Sequence, residues 1–132
     1  MNAFIVKLEN KPGTLARVFE AVAARGINIE SAGGSTWGDA GAVTILTNDE
    51  AGTRSALAGA GFTSREIEAV PVSIENRPGT LAEMTSKLAA AGVNIEALLP
   101  TGMSGGKVSV AFVTSDAVKA RAAIGQEALA TA

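Results

Sequence analysis

Glu9-Asn10-Lys11-Pro12-Gly13-Thr14-Leu15-Ala16 returns 66 positions later as Glu75-Asn76-Arg77-Pro78-Gly79-Thr80-Leu81-Ala82. At the same offset, Gly26-Ile27-Asn28-Ile29-Glu30 returns as Gly92-Val93-Asn94-Ile95-Glu96. Of the 27 positions from Phe4 to Glu30, 14 are identical in the second copy, so the chain is an internal duplication. One residue is inserted further on: Val43, Thr47, Asp49 and Arg54 lie 67 positions before Val110, Thr114, Asp116 and Arg121. The 132 residues therefore read as two units, 1–69 and 70–132. Units that small bury little surface alone, and each is expected to lean on the other.

Working outward from the repeated stretch, Phe4, Val6 and Leu8 alternate with Ile5, Lys7 and Glu9, the two-residue period of a strand with one buried face. Val70, Val72 and Ile74 repeat the pattern. Pro12 and Gly13 open a helix whose Leu15, Val18, Phe19 and Val22 fall on one stripe, and Gly26 closes it as Gly92 closes its counterpart. Ile27–Ala32 predicts a second strand, Gly33–Ala40 a turn, and Ala42–Thr47 a third strand. Asp49 is placed as the N-cap of a helix running to about Ala60, with Asp116 in the same role in the second copy. Thr63–Ala69 makes a fourth strand that runs through Val70-Pro71 into the first strand of the second unit. Strand, helix, strand, strand, helix, strand with right-handed crossovers is an α+β, ferredoxin-like sandwich (βαββαβ) with antiparallel sheets and helices on one face. In the second unit only the Ala-rich stretch Gln126–Ala132 remains after Ile124-Gly125, so its last strand is expected to be short or absent, leaving an open sheet edge.

Composition narrows the function. The chain has 11 Lys plus Arg against 13 Asp plus Glu, a formal charge of −2, and neither Cys nor His. That removes thiol and imidazole nucleophiles, disulfides and the usual zinc ligands, so no metal site and no cofactor is expected. The remaining Glu, Asp, Ser and Thr form no constellation that would catalyse a reaction, and no catalytic residue is assigned. The charge supplies no basic field for a nucleic acid, and the third strands, Ala42-Val43-Thr44-Ile45-Leu46 and Val108-Ser109-Val110-Ala111-Phe112, offer no stacking platform for RNA. Lys7 and Glu9 interrupt the apolar N-terminal stretch, and no run of eighteen uncharged apolar residues occurs; the reading is a whole, cytoplasmic protein without a membrane partner.

A strand ending Glu-Asn-Lys/Arg-Pro-Gly-Thr-Leu-Ala, then a helix, then Gly-Ile/Val-Asn-Ile-Glu, resembles the ACT domain, a small-molecule-sensing module of amino-acid metabolism. Both copies carry it, so the resemblance covers nearly the whole chain and points to two tandem ACT domains. It implies side-by-side pairing of domains through an edge strand and a helix, a homodimer, and amino acids bound where two domains meet. With no catalytic domain in the sequence, the chain is similar to free-standing tandem ACT proteins, and a metabolic enzyme is a partner that the resemblance suggests.

Physical chemistry is compatible with that role. Helix N-termini offer unpaired amides, so those near Gly13, Thr14 and Leu15, and near Gly79, Thr80 and Leu81, suit a carboxylate. Asparagine both donates and accepts. By resemblance to serine-sensing relatives, Asn10 would act with Asn94 and its neighbour Ile95 of the other unit, and Asn76 with Asn28 and Ile29, giving two pseudo-equivalent sites. Those relatives carry a ligand-contacting His two residues before the loop Asn; Leu8 and Ile74 stand there here, which leaves open serine or a ligand with a more apolar side chain. Trp37 and Met103 are expected either as lids or, for Trp37, as a half-exposed aromatic at a contact. Lys11 and Arg77 are read as solvated charges, with contact to a ligand carboxylate or an intersubunit acid as the alternative, and Arg54 and Arg121 as surface charges on the outer helices. The rival reading is a structural or regulatory subunit that binds a partner enzyme through its sheet face without a small ligand.

Overall fold

The computed structural model describes residues 1–130; Thr131 and Ala132, the end of the stretch expected to hold the last strand, lie outside the described residues. The chain divides into two compact units, Asn2–Ile67 and a second that begins at Glu68 and includes Met1. In the first, β1 (Asn2–Glu9), α1 (Thr14–Ala23), β2 (Ile29–Trp37), β3 (Ala40–Thr47), α2 (Glu50–Gly59) and the opening half of β4 (Ser64–Glu75) follow in βαββαβ order. β3 lies antiparallel between β1, where Phe4 faces Ile45 and Glu9 faces Ala40, and β2, where Trp37 faces Ala40. On the far side of β1 the Lys7 amide donates to Thr63 O at 3.0 Å, completing the order β2-β3-β1-β4. The alternation read in β1 places Phe4 and Val6 inward, against Val18 and Val22 of α1, Ile45 of β3 and Leu57 of α2.

The second unit repeats the plan with the closing half of β4, α3 (Thr80–Ala90), β5 (Ile95–Ser104), β6 (Lys107–Thr114) and α4 (Ala117–Ile124). β6 lies antiparallel between β4 and β5. Val72, Met84, Leu88, Phe112 and Ile124 form its core. Both outer helices are capped by the predicted aspartates: an Asp49 carboxylate oxygen accepts the Gly52 amide at 2.9 Å, and Asp116 accepts that of Lys119 at 3.0 Å.

The last strand of the second unit is as short as expected, one antiparallel bridge, Val72 to Leu129, flanked by Ser73 N–H to Ala128 O at 2.8 Å and Ala130 N–H to Pro71 O at 3.0 Å. Three other expectations are modified. Gly125, at φ 85°, turns the Ala-rich tail back along β4, so the edge that the sequence left open is partly covered. The turn expected over Gly33–Ala40 contracts to Gly38-Asp39, because β3 supplies hydrogen bonds to Ser31–Thr36, small residues with no apolar alternation to announce a strand. Gly38, at φ 63°, makes the tight hairpin possible. Leu15 does not join the buried stripe of α1: it is 43% exposed, and its counterpart Leu81 is 44% exposed. Arg54 and Arg121 are surface charges on the outer helices, as read, and each is ion-paired. Arg54 donates through two nitrogens to Glu66 at 2.6 and 2.8 Å, and Arg121 to Glu68 at 2.7 Å, which fastens each outer helix to its unit's part of β4.

Candidate functional site

The repeated Pro-Gly turn delivers the chain from β1 into α1, and from β4 into α3. Gly13 and Gly79 stand at the N-caps with φ of 89° and 90°, left-handed values that explain glycine at both positions. A Cβ at either would meet open space, so conformation, rather than close approach of other protein atoms, selects them. Among the described residues no side chain caps either helix. The Thr14 and Thr80 amides reach back only weakly, to Lys11 O and Arg77 O at 3.4 Å. The next amides, of Leu15 and Ala16 and of Leu81 and Ala82, belong to the first turn, which an α-helix leaves without intrahelical acceptors. Positive dipole ends beside exposed leucines thus occur twice in equivalent form.

The two loops differ in how their asparagines are held. Asn10 N–H donates to Asp39 O at 3.0 Å, and its side-chain Nδ2 donates to Gly38 O at 2.8 Å, which ties the loop to the β2–β3 turn. Asn76 N–H makes the equivalent bond to Gly106 O at 2.9 Å, while its side-chain amide has no hydrogen-bond partner among the described residues. Asn76 lines a cavity of about 350 Å³ with Ile74, Gly79, Leu81, Val108 and Val110. Apolar β-strand residues there meet helix-start backbone, an arrangement suited to a ligand with one charged end and one greasy end.

Asn28 and Asn94 open β2 and β5, each with its backbone gripped by the residue that follows the neighbouring strand. Asn28 N–H donates to Asn48 Oδ1 at 3.0 Å, and Asn94 N–H to Ser115 Oγ at 3.0 Å. Their carbonyls accept the Asn48 and Ser115 amides in return. Asn28 and Ile29 line a separate groove of about 480 Å³ with Phe19, Ala23 and Ile27. Within a unit, the loop and the strand-opening asparagine are separated by the length of the helix, about 15 Å for the ten residues of α1. Trp37 and Met103 stand 92% and 74% in solvent at the ends of β2 and β5, more open than a half-exposed contact residue.

Sequence reading passed over a third group. Lys7, Lys11, Thr14, Arg17 and Phe62 line a groove of about 370 Å³ between the start of α1 and the turn leading into β4. The Arg17 guanidinium lies 5.2 Å from the centre of the Phe62 ring. Lys11 pairs with Glu9 at 2.9 Å, and that hydrogen bond and charge, with a smaller contribution from Arg17, hold the Glu9 carboxyl below the usual range. The signal lay in the positions where the two copies disagree, Lys7 against Ser73 and Arg17 against Glu83, rather than in those where they agree. Among the described residues no cluster of three or more acidic side chains could hold a metal ion, and no helix is long and apolar enough to cross a membrane.

Residues 3–58 match the ACT domain family. Comparison with curated proteins finds no match. Among solved structures, a Bacteroides thetaiotaomicron protein superposes with a TM-score of 0.77 at 26% identity, over 96% of this chain and 87% of that one. The regulatory subunit of aspartate kinase from Thermus flavus is similar at a TM-score of 0.62 and 26% identity, over 93% and 88%. That from Thermus thermophilus, in a ligand-free form, has a TM-score of 0.63 at 24% identity, over 93% and 88%, and speaks to the fold alone.

Proposed function

We propose that the chain is a pair of tandem ACT domains, 1–69 and 70–132, acting as a non-catalytic, cytoplasmic regulatory protein that binds amino acids and reports their level. The carrying observation is the doubled helix start: Gly13 and Gly79 at the same left-handed φ, uncapped first-turn amides, and an exposed leucine behind each. In this reading the amides near Gly13, Thr14 and Leu15, and near Gly79, Thr80 and Leu81, receive the carboxylate. Asn10 and Asn76 then serve the polar end of the ligand together with Asn94-Ile95 and Asn28-Ile29 of an adjoining ACT domain. The match of residues 3–58 to the ACT family and the likeness to an aspartate kinase regulatory subunit support a regulatory role. A homodimer and a metabolic enzyme as target complete the proposal.

Two or three charge-assisted hydrogen bonds of about 1.5–3 kcal/mol each, offset by desolvation and ordering, leave roughly micromolar to millimolar affinity, the range of intracellular amino acids. A thermal-shift screen against the twenty amino acids tests it, because a ligand at a hundred times its Kd adds about 2.7 kcal/mol of stability. A shift with at least one amino acid, abolished by Asn10→Ala with Asn76→Ala, is the expected result. No shift with any at millimolar concentration would leave the ligand-free regulatory subunit.

A further inference from the structure

The duplication provides an internal control for the groove beside Arg17. Its counterpart in the second unit, about 340 Å³, is lined by Ser73, Glu75, Arg77, Thr80, Glu83 and Glu127 among others. Three cations face one carboxylate in the first groove; with Lys87 and Lys107, three face three in the second. In the second, Arg77 approaches Glu83 at 3.7 Å. In the first, Lys11 is engaged by Glu9, while among the described residues neither Lys7 nor Arg17 forms an ion pair or a side-chain hydrogen bond. The threonine has diverged as well. Thr80 Oγ1 donates to Glu75 O at 2.8 Å and lies 3.1 Å from Arg77 O. Thr14 Oγ1 is buried in a residue only 7% exposed and has no hydrogen-bond partner among the described residues.

We infer that the first-unit groove binds a small oxyanion, a carboxylate or phosphate group, between Lys7 and Arg17, and that the second-unit groove does not. Arg17 is suited to this: its guanidinium sits over the Phe62 ring, 5.2 Å from the centroid, and a guanidinium can give two parallel bonds to an anion. The groove shares only Thr14 with the loop residues of the amino-acid reading, and the inference does not depend on that reading.

Titration calorimetry of the full chain with inorganic phosphate and, separately, with glutarate decides it. Saturable binding of at least one at millimolar concentration or below is expected, weakening as salt is added. Arg17→Glu and Lys7→Ser, which install the second copy's residues, should each weaken binding tenfold or more. Lys119→Ser, which removes the same charge from α4, should leave it unchanged. Phosphate preferred over glutarate assigns a phosphorylated ligand, and the reverse a carboxylate; either result supports the site. No saturable binding of either anion, or unchanged affinity in Arg17→Glu, overturns it.

Discussion

Glu66 shows what one residue can do at the seam between helix and strand. Hydrogen bonds from Arg54 and then from Asn2 Nδ2 at 2.7 Å lower its pKa from 4.5 to about 2. A lowered carboxylate stabilises the fold fully above its unfolded pKa and loses that contribution as pH falls from about 4.5 through about 2. Denaturant unfolding at a series of pH values should therefore show a loss of stability over this window that is smaller in Glu66→Gln. An acid limb of equal depth in the variant would show that the pairing contributes nothing. Glu68 is lowered in the same direction by its hydrogen bond from Arg121. Neither pair was legible in the sequence, because a glutamate twelve positions from Arg54 and another fifty-three from Arg121 meet them only through strand pairing.

Among the elements, α2 and α4 were announced by their caps. Asp49 and Asp116 accept amides three residues on, at the φ of an extended N-cap residue. Replacing Asp49 with Ala should cost about 1 kcal/mol in denaturant unfolding, and with Asn much less, since either side-chain oxygen can accept the amide. An Asp49→Ala variant as stable as the parent would mean that α2 is held by packing alone. Gly52 belongs to the same device: a Cβ there would collide with the Asp49 carboxylate and come within 2.8 Å of Ile27 Cδ1. α1 and α3 were legible for another reason, the Pro-Gly entry, but their exposed Leu15 and Leu81 were not. A helical stripe specifies which side chains share a face, and the neighbouring strands decide how far along that face burial reaches.

Over the whole molecule, the duplication predicts two cores of the same design. Leu57 and Leu88 are each fully buried, one in each unit's cluster. Leu57→Ala and Leu88→Ala should each cost about 2–5 kcal/mol, through lost burial plus the cavity left behind. Hydrogen exchange read unit by unit measures both, and a cost below 1 kcal/mol at either would contradict that core. The sequence by itself determined the repeat, the order of strands and helices, the Pro-Gly helix entries, the glycines that close α1 and α3, and the aspartate caps. These depend on local backbone chemistry and on periods of two and 3.6 residues, which a linear string displays directly. Only the tertiary structure decided that Asn10 is tied to the β2–β3 turn while the Asn76 side chain is left open. It alone set Leu129 against Val72 and gathered Lys7, Thr14, Arg17 and Phe62 around one groove. Those outcomes depend on which distant segments pair and in what register, a choice made by the burial of a whole core rather than by any single stretch of residues.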